Sequence, residues 1–261
     1  MRHITLVLGL VLISANCPLV ADTQAPGSTL TLTPAVVLAK LKPGQGLTQS
    51  LHMSNTTSGT FHFDVEVMDV VVKDGQRIYV PAGETEGGIA ASAVITPGSV
   101  IIGPQDQGSV TVTLTVPQRT ELRAVVVYFR GKLDTPTDSG TVGLGASLGA
   151  LITFELSDDY SFKAVNFSAS PQTATTNQVV SHELVNSGSE VVVPKGATVI
   201  LDDSGRNVAK STFSAHRLLP GESVTFSATC PQQLKSGHYR VVSSFEYDSR
   251  IVTAGGEFSV P

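Results

Sequence analysis

Six histidines, at His3, His52, His62, His182, His216 and His238, are the first side chains to test for chemistry, because imidazole serves both as a base and as a metal ligand. Zinc needs three or four convergent ligands. His52 and His62 fall on neighbouring candidate strands and could face each other, but no third ligand accompanies them, so both read as strand-surface residues. Asp202-Asp203-Ser204-Gly205 carries enough carboxylate for a cation, yet Asp-x-x-Gly between two apolar runs is the composition of a hairpin turn. Asp64, Asp69 and Asp74 read as strand ends and turns, and Asp158-Asp159 as a solvated linker rather than a calcium site. No phosphate loop occurs. With no nucleophile beside a base, the chain reads as a non-enzyme that uses neither cofactor nor metal.

The bulk properties exclude further classes. Across 261 residues, 17 basic side chains face 22 acidic ones, a net charge of -5, which disfavours nucleic acid as a partner. Charged residues make up 15% and hydrophobic ones 41%, enough for a packed core. Met1-Arg2-His3, the apolar run Ile4 to Ile13 and small residues to Ala21 have the plan of a secretory signal peptide, assigned to 1-21. The apolar run is too short to remain as a membrane span, so no stable membrane insertion is expected after cleavage. Removing the signal removes Cys17 and leaves Cys230 alone. A chain exported without a disulfide must be held by its core, and Cys230 reads as a buried strand residue.

The elements that would position any site are strands. Runs of Val, Ile, Thr, Phe and Tyr alternate with Gly, Pro, Asn and Asp clusters, the spacing of an all-β sandwich. Candidate strands are Thr29 to Leu38, Leu47 to Ser54, Phe61 to Val72, Arg77 to Val80, Val100 to Ile102, Ser109 to Val116, Ala124 to Arg130 and Gly143 to Leu156, with residues 81–93 as a surface loop. The second half repeats this grammar. Val179 to Asn186 leads into Ser187-Gly188 as Leu47 to Asn55 leads into Thr56-Thr57-Ser58-Gly59. Leu219-Pro220-Gly221 before Glu222 to Phe226 echoes Gly103-Pro104 before Ser109 to Val112. Two tandem immunoglobulin-like β-sandwich domains are therefore expected, at 22-157 and 158-261.

One strand differs from the rest. From Val142 to Leu156 every even position is apolar: Val142, Leu144, Ala146, Leu148, Ala150, Ile152, Phe154 and Leu156. The odd positions are small or polar except Leu151. Residues two apart share a face, so this is one continuous apolar stripe about 50 Å long at ~3.3 Å per residue. A small sandwich cannot easily cover that length. Either the Gly-rich first part is a loop and only Ala150 to Leu156 is core, or the strand projects apolar side chains past its own core and invites strand addition.

These features resemble the periplasmic pilus chaperones. The resembling parts are Leu32-Thr33-Pro34 to Gly44, Met53-Ser54-Asn55, Ala124-Val125-Val126-Val127-Tyr128-Phe129-Arg130 and the stripe through Phe154. The resemblance implies two immunoglobulin-like domains set at an angle and capture of exported, pilin-like subunits by strand exchange. It also implies two basic residues in the interdomain cleft that hold a subunit's terminal carboxylate. No Lys or Arg lies between Gly140 and Tyr160, so the last strand supplies no such anchor, and Lys40 and Lys42, near the first strand's end, are the candidates for cleft cations. A second resemblance is to WxL-interacting cell-surface proteins, carried by Leu41-Lys42-Pro43-Gly44, Asn186-Ser187-Gly188, Leu219-Pro220-Gly221 and Ser236-Gly237-His238-Tyr239.

The reading is a monomeric, exported, chaperone-like binding protein, periplasmic or at the cell surface. It would capture exported subunits by strand addition along 142-156, through Leu144, Ala146, Leu148, Ala150, Ile152 and Phe154. The alternative is a structural or adhesive surface protein that binds cell-wall polymer or a surface partner, in which the stripe is only core.

Overall fold

The computed structural model of the protein describes residues 29–134, 145–173 and 176–261. The signal segment, Val142 and Leu144 lie outside them. The first half contains strands β1 (Leu30–Thr33), β2 (Val36–Lys40), β3 (Gly46–Asn55), β4 (Phe61–Lys73), β5 (Gln76–Pro81), β6 (Val94–Thr96), β7 (Ser99–Ile102), β8 (Asp106–Thr115), β9 (Ala124–Leu133) and β10 (Gly145–Glu155). The second half contains β11 (Phe162–Ser170), β12 (Val179–Asn186), β13 (Lys195–Asp202), β14 (Asn207–Phe213), β15 (Ser223–Thr229), β16 (Gly237–Tyr247) and β17 (Arg250–Val260). Among the described residues no helix is long and apolar enough to cross a membrane.

Each half packs two sheets face to face, so the fold is a pair of immunoglobulin-like sandwiches. In the first, the order β1-β3-β8-β6 faces β2-β10-β9-β4-β5, with β7 also on β4. In the second, β11-β12-β15 faces β14-β13-β16-β17. The chain passes from one to the other between Glu155 and Phe162. Alternation builds both cores: Leu51 and Met53 of β3, Val110, Val112 and Leu114 of β8, and Phe63, Val67, Val127 and Phe129 of β4 and β9 point inward. Leu184, Ile200, Phe226, Val241 and Phe245 do the same in the second half, where Cys230 is also fully buried.

The repeated sequence grammar has a physical counterpart. Asn55 and Asn186 end β3 and β12, one in each sandwich, and are fully buried. The Asn55 amide donates to the carbonyls of Gly59 (2.7 Å) and Gly103 (3.0 Å), and Asn186 donates to Glu190 (2.8 Å) and Leu218 (3.0 Å). Each thereby ties a strand end to the turn that precedes the later strand, and satisfies carbonyls that burial would otherwise strand.

Three expectations are corrected. Thr29 to Leu38 is two strands, because Pro34 has no N–H to continue a ladder: β1 pairs with β3, and β2 pairs with β10 in the opposite sheet. Residues 81–93 are not a plain surface loop. A short 3-10 turn at Ala90–Ser92 carries Ile89 into the core, and Asp69, buried in the middle of β4, accepts from the N–H groups of Ile89 and Ala90, both at 2.9 Å. His52 and His62 lie on opposing sheets and both point to solvent, so they do not meet. Asp202 caps the β13–β14 hairpin by accepting from Ser204 and Arg206, which lowers its carboxyl to about 2.

His182 sits in the second core against Phe167, Phe213 and Phe245, with Nε2 2.9 Å from the Ser243 hydroxyl. Burial lowers its pKa from 6.5, so the unfolded chain binds a proton that the folded one resists. Stability is therefore fully present above about pH 6.5 and falls as pH drops through that value. The urea midpoint is expected to fall between pH 7.5 and 5.5, and His182→Gln to flatten that fall; an equal fall in both proteins would contradict it.

Candidate functional site

The candidate site is the edge of β10. β10 pairs antiparallel with β9 from Gly145 opposite Lys132 to Thr153 opposite Ala124. On its other side β2 pairs in parallel with only Leu151 to Glu155. The Leu151 N–H reaches the Ala35 carbonyl at 2.9 Å, and the Phe154 N–H reaches the Arg123 carbonyl at 2.8 Å. Odd positions thus bond on the β2 side and even positions on the β9 side. By this alternation the N–H and C=O groups of Gly145, Ser147 and Gly149 point away from β9, where no strand among the described residues pairs with them. They are a short unpaired edge with β1 already diverted to the other sheet.

The apolar stripe divides at this boundary. Ala150, Ile152 and Phe154 have no exposed surface and belong to the sandwich's own core, so their side chains do not face a partner. Ala146 and Leu148 are half-buried at the open end of the sandwich. Leu144 lies outside the described residues.

The closed end of β10 is held by charge. Glu155, only 2% exposed, receives Lys40 Nζ at 2.8 Å, the Tyr247 hydroxyl at 2.9 Å and the Tyr160 hydroxyl at 3.2 Å. The hydrogen bond and charge of Glu155 raise the Lys40 pKa, while burial, and then Glu155, raise those of both tyrosines. Lys40 is thus occupied rather than free in the cleft, and Lys42 sits exposed in a neighbouring shallow hollow.

The cations between the sandwiches are arginines that sequence reasoning missed. Arg123 meets the fully buried Glu190 at 3.0 Å, whose other contacts are the Leu156 N–H and the Ser157 hydroxyl, both at 2.9 Å. Arg77 forks onto Glu222 at 2.7 and 2.9 Å and also donates to the Arg217 carbonyl. Arg217 donates to the Thr153 hydroxyl at 2.8 Å, and burial lowers its pKa. Val70, Ala124 and Val126 of the first sandwich pack against Val191 and Leu219 of the second within this polar frame. Pairs so distant in sequence leave no local signal; only a shared apolar patch at Val70, Val126 and Leu219 could have suggested them.

The outer face of the same sheet holds a cleft of about 410 Å³, lined by Met68, Val126, Tyr128, Gly149 and Leu151 with Arg77 and Arg130 at its rim. Among the described residues, no group of three or more His, Cys, Asp or Glu side chains is placed to hold a metal.

No protein-family model and no curated protein matches the chain. Solved structures with a similar fold include pilus chaperones. The class 5 fimbriae chaperone CfaA is 14% identical, with 89% of this chain and 100% of that one covered and a TM-score of 0.44. The Salmonella enterica SafB chaperone, solved with the SafA pilin, gives 11%, 90%, 98% and 0.42. The Acinetobacter baumannii chaperone–tip adhesion subunit complex of CsuC and CsuE gives 10%, 86%, 98% and 0.42.

Removing one member of a buried ion pair leaves the other uncompensated. Arg123→Met is expected to lower stability by about 3 kcal/mol, and adding Glu190→Gln to return most of it, because the glutamine oxygen still accepts from the Leu156 N–H while its amide donates to the Ser157 hydroxyl, which can act as acceptor. Urea unfolding checks this; additive losses would contradict it.

Proposed function

We propose that the protein is a non-enzymatic, chaperone-like binder of exported, pilin-like subunits, acting in the periplasm as two immunoglobulin-like domains, 22–157 and 158–261. The observation that carries this reading is the half-paired β10: its first part offers backbone donors and acceptors, its second part is locked between β2 and β9. A partner strand laid beside Gly145 to Ala150 would complete those hydrogen bonds, and Ala146 and Leu148 would gain cover at the open end of the sandwich. Main-chain bonding supplies affinity without demanding one sequence. The closed end fixes the strand's position, because Thr153 and Glu155 are bonded to Arg217 and Tyr247 of the second sandwich.

The alternation gives a clean test. Ser147→Pro removes an outward N–H and blocks the edge while leaving the β9 ladder intact, whereas Leu148→Pro removes an inward one. With a fluorescein-labelled peptide of alternating Thr and Val as probe, Ser147→Pro is expected to lose at least about tenfold in affinity with little change in melting temperature. Leu148→Pro should lose on the order of 2 kcal/mol of stability. Peptide binding that survives Ser147→Pro would refute strand addition at this edge.

A further inference from the structure

The outer face of β10 has almost no side chains where its edge is open. Its outward positions there are Gly145, Ser147 and Gly149, and their neighbours on β9 are Lys132, Arg130 and Tyr128. The Tyr128 ring leans over the vacancy: a Cβ placed on Gly149 would stand 3.8 Å from Tyr128 Cδ2 and 3.3 Å from Val126 Cγ2. Arg130 lies over the same ring, its Cζ 5.4 Å from the centroid. The Arg130 partner is Glu66 at 2.5 Å, on the far side from β10, and that pair is exposed at both ends. Asp64 is the other acid of β4 opposite Arg130. Among the described residues, no acidic side chain of β9 or β10 stands between Arg130 or Lys132 and the open edge.

We propose that this notch selects clients whose docking strand carries an aromatic side chain and, two residues away on the same face, an acidic one. The inference rests on strand addition at β10 and adds to it a rule for the client's sequence. A residue paired opposite Gly149 directs its side chain over the glycine, where no Cβ blocks it. An aromatic ring there meets Tyr128 edge-on and continues the apolar floor of Val126, Met68 and Leu151. Its neighbour two residues on lies opposite Ser147, and a carboxylate there reaches across the small serine toward Arg130. The exposed Glu66 contact yields readily, because solvent-exposed ion pairs are weak. A lysine in that place would instead confront Arg130 and Lys132.

The test uses capped, fluorescein-labelled Thr/Val peptides of one length, differing only at two same-face positions: Phe and Asp in either order, Ala and Asp, or Phe and Lys. Affinities are read by anisotropy on the full-length mature protein. One of the two Phe–Asp orders is expected to bind roughly tenfold tighter than the Ala–Asp and Phe–Lys peptides. Tyr128→Ser should erase the advantage of Phe, and Arg130→Ser that of Asp, with both variants checked for an unaltered melting temperature. A second route avoids these residues: Gly149→Ala fills the notch and should reduce the Phe advantage. Equal binding of all peptides would overturn the selection rule and leave strand addition standing. No binding by any peptide would overturn both.

Discussion

Proline at position 34 decides how much of β10 is covered. A strand that kept its ladder through residues 30–40 would run beside β10 along its whole length. Instead the chain leaves one sheet at Thr33 and joins the other at Val36. The crossing seals both sheets at one corner of the sandwich, and its cost is a stretch of β10 from Gly145 to Ala150 with one side unpaired. Natural sheets hide or blunt such edges, commonly with lysine, proline or a bulge. Here the edge carries glycine and serine, which keep it accessible.

The same strand is a clamp at its other end. Thr153 and Glu155 are fully or almost fully buried, and their polar atoms are satisfied by Arg217, Tyr247, Tyr160 and Lys40. Arg123 with Glu190 and Arg77 with Glu222 frame the apolar contact between the two sandwiches. Each acid in this frame is buried and would be costly alone, and each gains a cation or several donors. Their joint effect is to join the second sandwich to the closed end of β10, leaving the open half outside these contacts.

Much of this was legible in the sequence. Period-two alternation gave the strands, and the paired Asn-turn and Pro-Gly phrases marked equivalent corners of two sandwiches, realised at Asn55 and Asn186. The stripe from Ala146 to Phe154 was visible as a stripe, but alternation reports only that residues share a face. Whether that face is covered depends on the opposite sheet, which buries Ile152 and Phe154 and leaves Leu148 at the margin. Ile89 and Asp69 are hidden from the sequence for a similar reason: a Gly-rich loop looks solvated until a buried carboxylate is seen holding it. The arginines between the sandwiches meet acids far along the chain, and nothing local distinguishes them from surface charges.

Residue-resolved amide exchange across β10 of the purified protein alone tests the central claim most directly. The alternation of hydrogen bonding predicts fast exchange at Ser147 and Gly149 and slow exchange at Leu148 and Ala150, with Leu151 and Thr153 protected by β2. Slow exchange at Ser147 and Gly149 would mean that the edge is already paired within the protein, and would contradict the account of β10 as a strand waiting for a partner.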